Sequence, residues 1–102
     1  MLVDYELVFG NLSTNHLGKM FMSTYLLLTH VPSKSRVELG DKLEAVCRIL
    51  GRRPLEDRAV IYDNVKKFRD GLIREERFEQ ASVAMSMIKY WDGHVEMIPD
   101  GL

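Results

Sequence analysis

Cysteine is nearly absent from this 102-residue chain: Cys47 stands alone, so no internal disulfide can form. The sequence also shows no charged-then-apolar leader ending in a small-residue cleavage site, and together these absences give a cytoplasmic expectation. Long hydrophobic runs are missing as well. The most apolar run, Phe21 to Val31, is about 11 residues long against the ~20 of a bilayer span, and it carries Ser23, Thr24, Thr29 and His30. It reads as a core helix segment, and no membrane contact is expected. An excess of either charge sign is lacking too. A formal net charge of −1 supplies no global field toward nucleic acid or an anionic surface, although a local patch can still act. The sequon Asn11-Leu12-Ser13 has no consequence in a chain that is not exported.

Catalytic and metal-binding patterns are equally sparse. His16, His30, His94 and Cys47 include no pair three or four residues apart, so no metal site is expected. There is no Gly-x-Ser-x-Gly, no glycine-rich phosphate loop and no Walker pattern. The glycines at 10, 18, 40, 51, 71, 93 and 101 read as helix punctuation. Glu75 and Glu76 are adjacent acids, but neighbours on a helix point about 100° apart and nothing apolar flanks these two to raise a pKa. The expectation is a protein with no enzymatic activity and no cofactor.

What is present is an ordinary globular composition, 46% apolar and 28% charged, with room for one domain over residues 1 to 102. The chain is organised around Phe78 to Trp91, FEQASVAMSMIKYW, which is apolar on nearly every side of a helix. Phe78, Ala81, Met85 and Ile88 make one row, Val83, Met87 and Tyr90 a second, Ala84 and Trp91 a third. Upstream, residues 2 to 9 alternate Val3, Tyr5, Leu7 and Phe9 against Asp4 and Glu6, the period of a half-buried strand; the competing reading is an opening helical turn on Leu2, Tyr5 and Phe9. A helix capped by Ser13 or Thr14 is expected to run to about His30, burying Leu17, Met20, Phe21, Thr24, Leu27, Leu28 and Val31, with Pro32 ending it. Ser35 and Glu38 have the form of a capping box for a second helix, with Leu39, Leu43, Val46, Cys47 and Leu50 as its stripe and Gly51 as its stop. Pro54 suits the first turn of a third helix, which carries Glu56 and Asp57 where the helix dipole favours them.

Extending the row of Val65, Phe68 and Leu72 at 3.6 residues per turn reaches Glu75 or Glu76 and then Glu79, not Phe78. A turn between Gly71 and Arg77 accounts for the jump; a single straight helix of nearly forty residues is the alternative. Gly93 is placed to close the last helix, and the tail HVEMIPDGL alternates weakly enough to pair with residues 3 to 8 as a short strand. The expected fold is mainly α, a four-helix single domain with possible short terminal β-strands. The series Val65, Phe68, Leu72, Phe78, Ala81, Met85 and Ile88 resembles a single tetratricopeptide-type helical hairpin over less than a third of the chain, with Arg69 in place of the usual glycine and Gly93 in place of the closing proline. That resemblance implies a helical hairpin and says nothing about ligands.

Two functional classes follow. Met20, Met22, Met85 and Met87 place adaptable side chains on the two most apolar helices, which offer more apolar face than four helices readily cover. A small cytoplasmic adaptor or regulator is therefore expected, binding another protein or a second copy of itself through Met20, Tyr25, Met87, Tyr90 and Trp91. The alternative is a small DNA-binding regulator. Residues 34 to 53 hold six basic side chains against three acids, and residues 42–69 have the outline of a helix-turn-helix using Arg52, Arg53, Arg58, Lys66, Lys67 and Arg69. Glu56 and Asp57 at the leading end of its second helix oppose that reading.

Overall fold

The computed structural model describes residues 3–95, and every regular element among them is helical. The helices are α1 (Tyr5–Phe9), α2 (Thr14–Leu28), α3 (Ser33–Gly51), α4 (Leu55–Arg74) and α5 (Phe78–His94). The expected strand over residues 2 to 9 is instead the short helix α1. Asp4 caps it by accepting the Leu7 N–H at 3.2 Å, and Tyr5 stacks on Phe9 one turn later, with ring centroids 5.7 Å apart. The alternation was real, but a local cap and an i,i+4 aromatic pair outweigh it where no partner strand is at hand. Its expected partner, the tail, is helical at His94, and residues 96–102 lie outside the described residues.

Ser13 caps α2 as expected, its Oγ accepting the His16 N–H at 3.1 Å. The capping box at Ser35 does not form. α3 begins three residues earlier, with Pro32 as N-cap and no side-chain cap bond, and Glu38 turns outward to accept from the Tyr5 hydroxyl. Between α4 and α5 the chain makes the expected turn. The Arg77 N–H bonds back to the Leu72 carbonyl and the Glu76 N–H to that of Ile73, the paired closure of a Schellman motif, with Glu76 left-handed at φ 59°.

α2 with α3 and α4 with α5 form two antiparallel hairpins, and these cross near their open ends. The main core draws Leu17 and Phe21 from α2, the Leu43 to Leu50 stretch from α3, Ile61 and Val65 from α4, and Met87, Ile88 and Trp91 from α5. A small satellite cluster of Leu72, Ala81 and Ala84, with Phe68 beside it, closes the tip of the second hairpin. The buried stripe of α5 is therefore Ala81, Ala84, Met87, Ile88 and Trp91. Phe78 and Met85, expected to share a row with Ala81 and Ile88, face solvent at 63% and 50% exposure. A two-hairpin cross covers one side of α5, and the stripe that wins is the one containing Trp91.

Most of the glycines do not punctuate helices: Gly18, Gly40, Gly71 and Gly93 all lie within them. Gly18 has a packing reason. A Cβ there would stand 2.8 to 3.0 Å from three side-chain carbons of Ile61, so α2 and α4 approach at a point only glycine allows. Alanine at Gly18 should lower stability by about 1–2 kcal/mol, overpacking against a branched neighbour exceeding the helix-propensity gain. Alanine at Gly71, where the added carbon meets nothing within 4 Å, should raise stability by up to about 1 kcal/mol. Urea unfolding of the two variants against the parent chain decides the sign of each. Glycine at Glu76 should likewise add about 1 kcal/mol by relieving the left-handed backbone, visible as a higher thermal midpoint.

Candidate functional site

The two hairpins cross near their open ends, so their tips diverge and a cleft of about 410 Å³ opens between them. Leu26 and His30, near the end of α2, form one wall. Phe68 and Leu72 of α4, with Glu79, Gln80 and Val83 of α5 and Arg77 of the turn, form the other. The floor is apolar: Phe68 and Leu72 belong to the satellite cluster, which is covered on its core side and open toward the cleft. The charged groups Arg77 and Glu79 stand at the rim, both exposed. A site of this kind can take an apolar side chain or a helix edge. It holds no nucleophile beside a base, and among the described residues no three His, Cys, Asp or Glu side chains gather as a metal site.

Beside the cleft runs a rank of aromatic rings that contains the residues singled out for binding. Trp91 is fully buried, edge-on to Phe21 at 5.2 Å and 6.1 Å from Tyr62. Met87 is fully buried as well. Both serve the core of this fold, so neither is available on its surface. Large apolar groups on the stripe that faces the hairpin crossing are consumed there. Met20, Tyr25 and Tyr90 are half-buried against the same core and keep an exposed part. Tyr25 and Tyr90 meet at 5.6 Å, and Tyr90 stacks flat on His94 at 3.8 Å. His94 Nδ1 lies 2.9 Å from the Tyr90 carbonyl oxygen, which requires the proton on that nitrogen. The structure thus brings Tyr25 and Tyr90 together and leaves Met20 apart on α2. The cleft residues Leu26, Phe68 and Val83 were missed as a site; only the hairpin crossing, a tertiary feature, sets them side by side.

The basic residues are largely engaged within the chain. Arg53 is a clamp: Nη1 donates to Thr14 Oγ1 at 3.1 Å, and Nη2 donates to the carbonyls of Gly10 and Leu12 at 3.0 and 2.9 Å. It fixes the α1–α2 connection against the end of α3. Arg58 Nε donates to the Arg53 carbonyl at 3.0 Å, and Arg52 reaches Glu6 at 3.2 Å. Lys66 pairs with Asp63 at 3.4 Å and sits over the Tyr62 ring, Arg69 pairs with Asp70 at 2.9 Å, and Lys67 is exposed. The helix-turn-helix outline also lacks its packing, since α3 and α4 follow one another in the chain without a substantial shared interface.

Two acids of the core region are held neutral. Burial is the main cause that pushes the Cys47 thiol up to about 12, with Glu44 adding to it and Arg48 opposing. Burial, then Cys47, Glu44 and Tyr25, raise the Tyr90 phenol to about 12, again against Arg48. Cys47 is thus an inert core group at neutral pH.

Compared with family models, with curated proteins and with solved structures, the chain matches none.

Because both groups are acids whose folded pKa lies above the unfolded one, the stability they contribute is complete below about pH 9 and is lost as pH rises toward about 12. The urea midpoint should fall over that window. Tyr90→Phe and Cys47→Ala should each flatten the decline, and an unchanged slope in the double variant would remove these groups as its cause.

Proposed function

We propose that this protein is a small non-enzymatic adaptor or regulator that binds a protein partner through the apolar cleft between its two hairpins, with the half-buried Tyr25 and Tyr90 as an adjoining contact. The observation that carries this reading is the cleft edge of the satellite cluster, where Phe68 and Leu72, backed by the buried Ala81 and Ala84, line the opening. Leu26 and Val83 line the same opening, so three or four apolar side chains converge on a space wide enough for a helix edge. Each such side chain contributes ~1.5–3 kcal/mol when covered, a useful affinity from three or four of them before association costs are deducted. A second copy of the chain is one candidate for the partner. The cytoplasm is the proposed place of work, on the strength of the lone, buried Cys47.

Nucleic-acid binding is the weaker reading because five of its six cations already bond within the chain, which leaves the exposed Lys67.

The test is a comparison of two baits, the full chain and its Val83→Glu variant, in native lysate after nuclease treatment and at low and high salt. The parent should hold a stoichiometric protein, or self-associate by light scattering, in a salt-tolerant manner. Val83→Glu should lose at least about 90% of that binding, which is 1.4 kcal/mol or more, with its urea midpoint unchanged. Equal retention by both baits, or retention of nucleic acid alone, would overturn the cleft as the site.

A further inference from the structure

α4 carries two seams of side chains at the alternating steps of four and three residues that suit contact with another helix. The inner seam, Ile61, Val65, Phe68 and Leu72, is used up within the chain by the two core clusters. The outer seam runs the length of the helix: Leu55, Ala59, Tyr62, Lys66, Arg69 and Ile73. Its first four members line a shallow groove of about 420 Å³ that Asp92 of α5 closes on the other side. Met85 and Phe78 stand seven and fourteen residues before Asp92, hence on the same side of α5, and both are exposed. Leu55 and Ile73, at the two ends of the seam, are 51% and 37% exposed. This face of the second hairpin is therefore apolar at both ends and covered by no element among the described residues.

The outer seam is also self-complementary. Leu55 and Ile73 lie nine residues either side of position 64, Ala59 and Arg69 five, and Tyr62 and Lys66 two. A second α4 laid antiparallel on the first, about a twofold axis at that level, sets each residue against its counterpart. Leu55 then covers Ile73, an apolar pair formed once at each end. Ala59 leaves room for the long stem of Arg69. Tyr62 offers its ring to Lys66 of the second copy, as it already does to Lys66 of its own chain at 4.8 Å. Asp63 and Asp70, beside the seam, pair with Lys66 and Arg69 at 3.4 and 2.9 Å, so these two cations bring no uncompensated charge into the contact. The face is about 27 Å long from Leu55 to Ile73 and about 20 Å wide across two helices. Counted over both copies that is about 1,100 Å², above the roughly 1,000 Å² that a specific interface needs.

We infer that this outer face joins two copies of the chain, α4 against α4 in antiparallel, with Phe78 and Met85 flanking the contact. The hairpin cleft stays open in such a dimer, because Phe68 and Leu72 belong to the inner seam.

Sedimentation equilibrium of the full chain tests this over a concentration series reaching about 300 µM, since an interface at the small end of the range supports a micromolar dissociation constant. The mass should rise from 11.8 kDa to twice that value. Leu55→Glu and Ile73→Lys should each weaken association by at least about a hundredfold, because a twofold interface takes every substitution twice. Both side chains are exposed, so the urea midpoints of the two variants, measured in dilute solution, should match the parent's. Mixed in equal amounts, the variants should recover a dimer holding one copy of each: the introduced acid and base meet at one end, and the remaining Leu55 and Ile73 meet at the other. Val60→Glu, on another side of α4, should leave the dimer as it is. Single variants that stay dimeric, or a mixture that stays monomeric, would overturn the proposal. A dimer lost in Val83→Glu but kept in Leu55→Glu would also overturn it and place the second copy in the cleft. A chain monomeric throughout the series would overturn it and leave the outer face to a foreign protein.

Discussion

The fold depends on the packing of one side chain where four helices meet. Trp91 sits between the ring of Phe21 from α2 and that of Tyr62 from α4, with α3 supplying Val46, Cys47 and Leu50 to the same core. An indole buries 150–250 Å² and dominates the energetics of any core it enters. Here it does so at a cost, since its buried Nε1–H meets no acceptor among the described residues. The geometry that accepts an unpaired donor in return for this contact is the crossing of two hairpins near their open ends. Gly18 permits that crossing by letting Ile61 approach the α2 backbone.

A cross of this kind distributes burial unevenly. Contacts concentrate where the hairpins meet, and the tips retain only what each hairpin packs on itself, which at the second tip is the small cluster of Leu72, Ala81 and Ala84. The molecule is accordingly flat, 23 Å in its shortest dimension against 44 Å in its longest. The proposed cleft is a direct consequence of the same constraint that seats Trp91: tips that diverge expose Leu26, Phe68 and Val83 to one another across open space.

Much of the helical framework was legible because it is governed by local chemistry. Ser13 caps α2 with its own oxygen, and the phase jump between Leu72 and Phe78 was visible as a break in a 3.6-residue period; the Schellman turn at Glu75 to Arg77 is its structural form. Local chemistry also misled. Ser35 and Glu38 satisfy the pattern of a capping box, yet the Pro32 carbonyl had already started α3, and Glu38 was drawn to Tyr5, 33 positions away in sequence. The strand expected at residues 2 to 9 failed for a related reason: alternation identifies a strand only where another strand can pair with it, and the described chain has none. The binding candidates on α5 divided according to the crossing. A helix apolar on every side does not announce which side its own chain will cover, so Met87 and Trp91 could not be told from Tyr90 before the hairpins were placed.

The distribution of charge carries the same lesson one step further. Six basic residues between positions 34 and 53 looked like a patch able to meet phosphate, but a sequence count cannot separate cations that face outward from cations that tie the chain together. Arg53 donates three hydrogen bonds to the α1–α2 connection, and Arg48 and Arg52 share one carboxylate of α1. The two Glu6 pairs are exposed and so individually worth about 1 kcal/mol or less, whereas the Arg53 bonds to Thr14 and Leu12 are part-buried. Phe9, packed against the main core, adds an apolar contact to that attachment. A basic excess over residues 34 to 53 is therefore compatible with a chain that presents little free positive charge there: on α3 acids and bases alternate by about one turn, Lys42 pairing with Glu38 and Arg48 with Glu44.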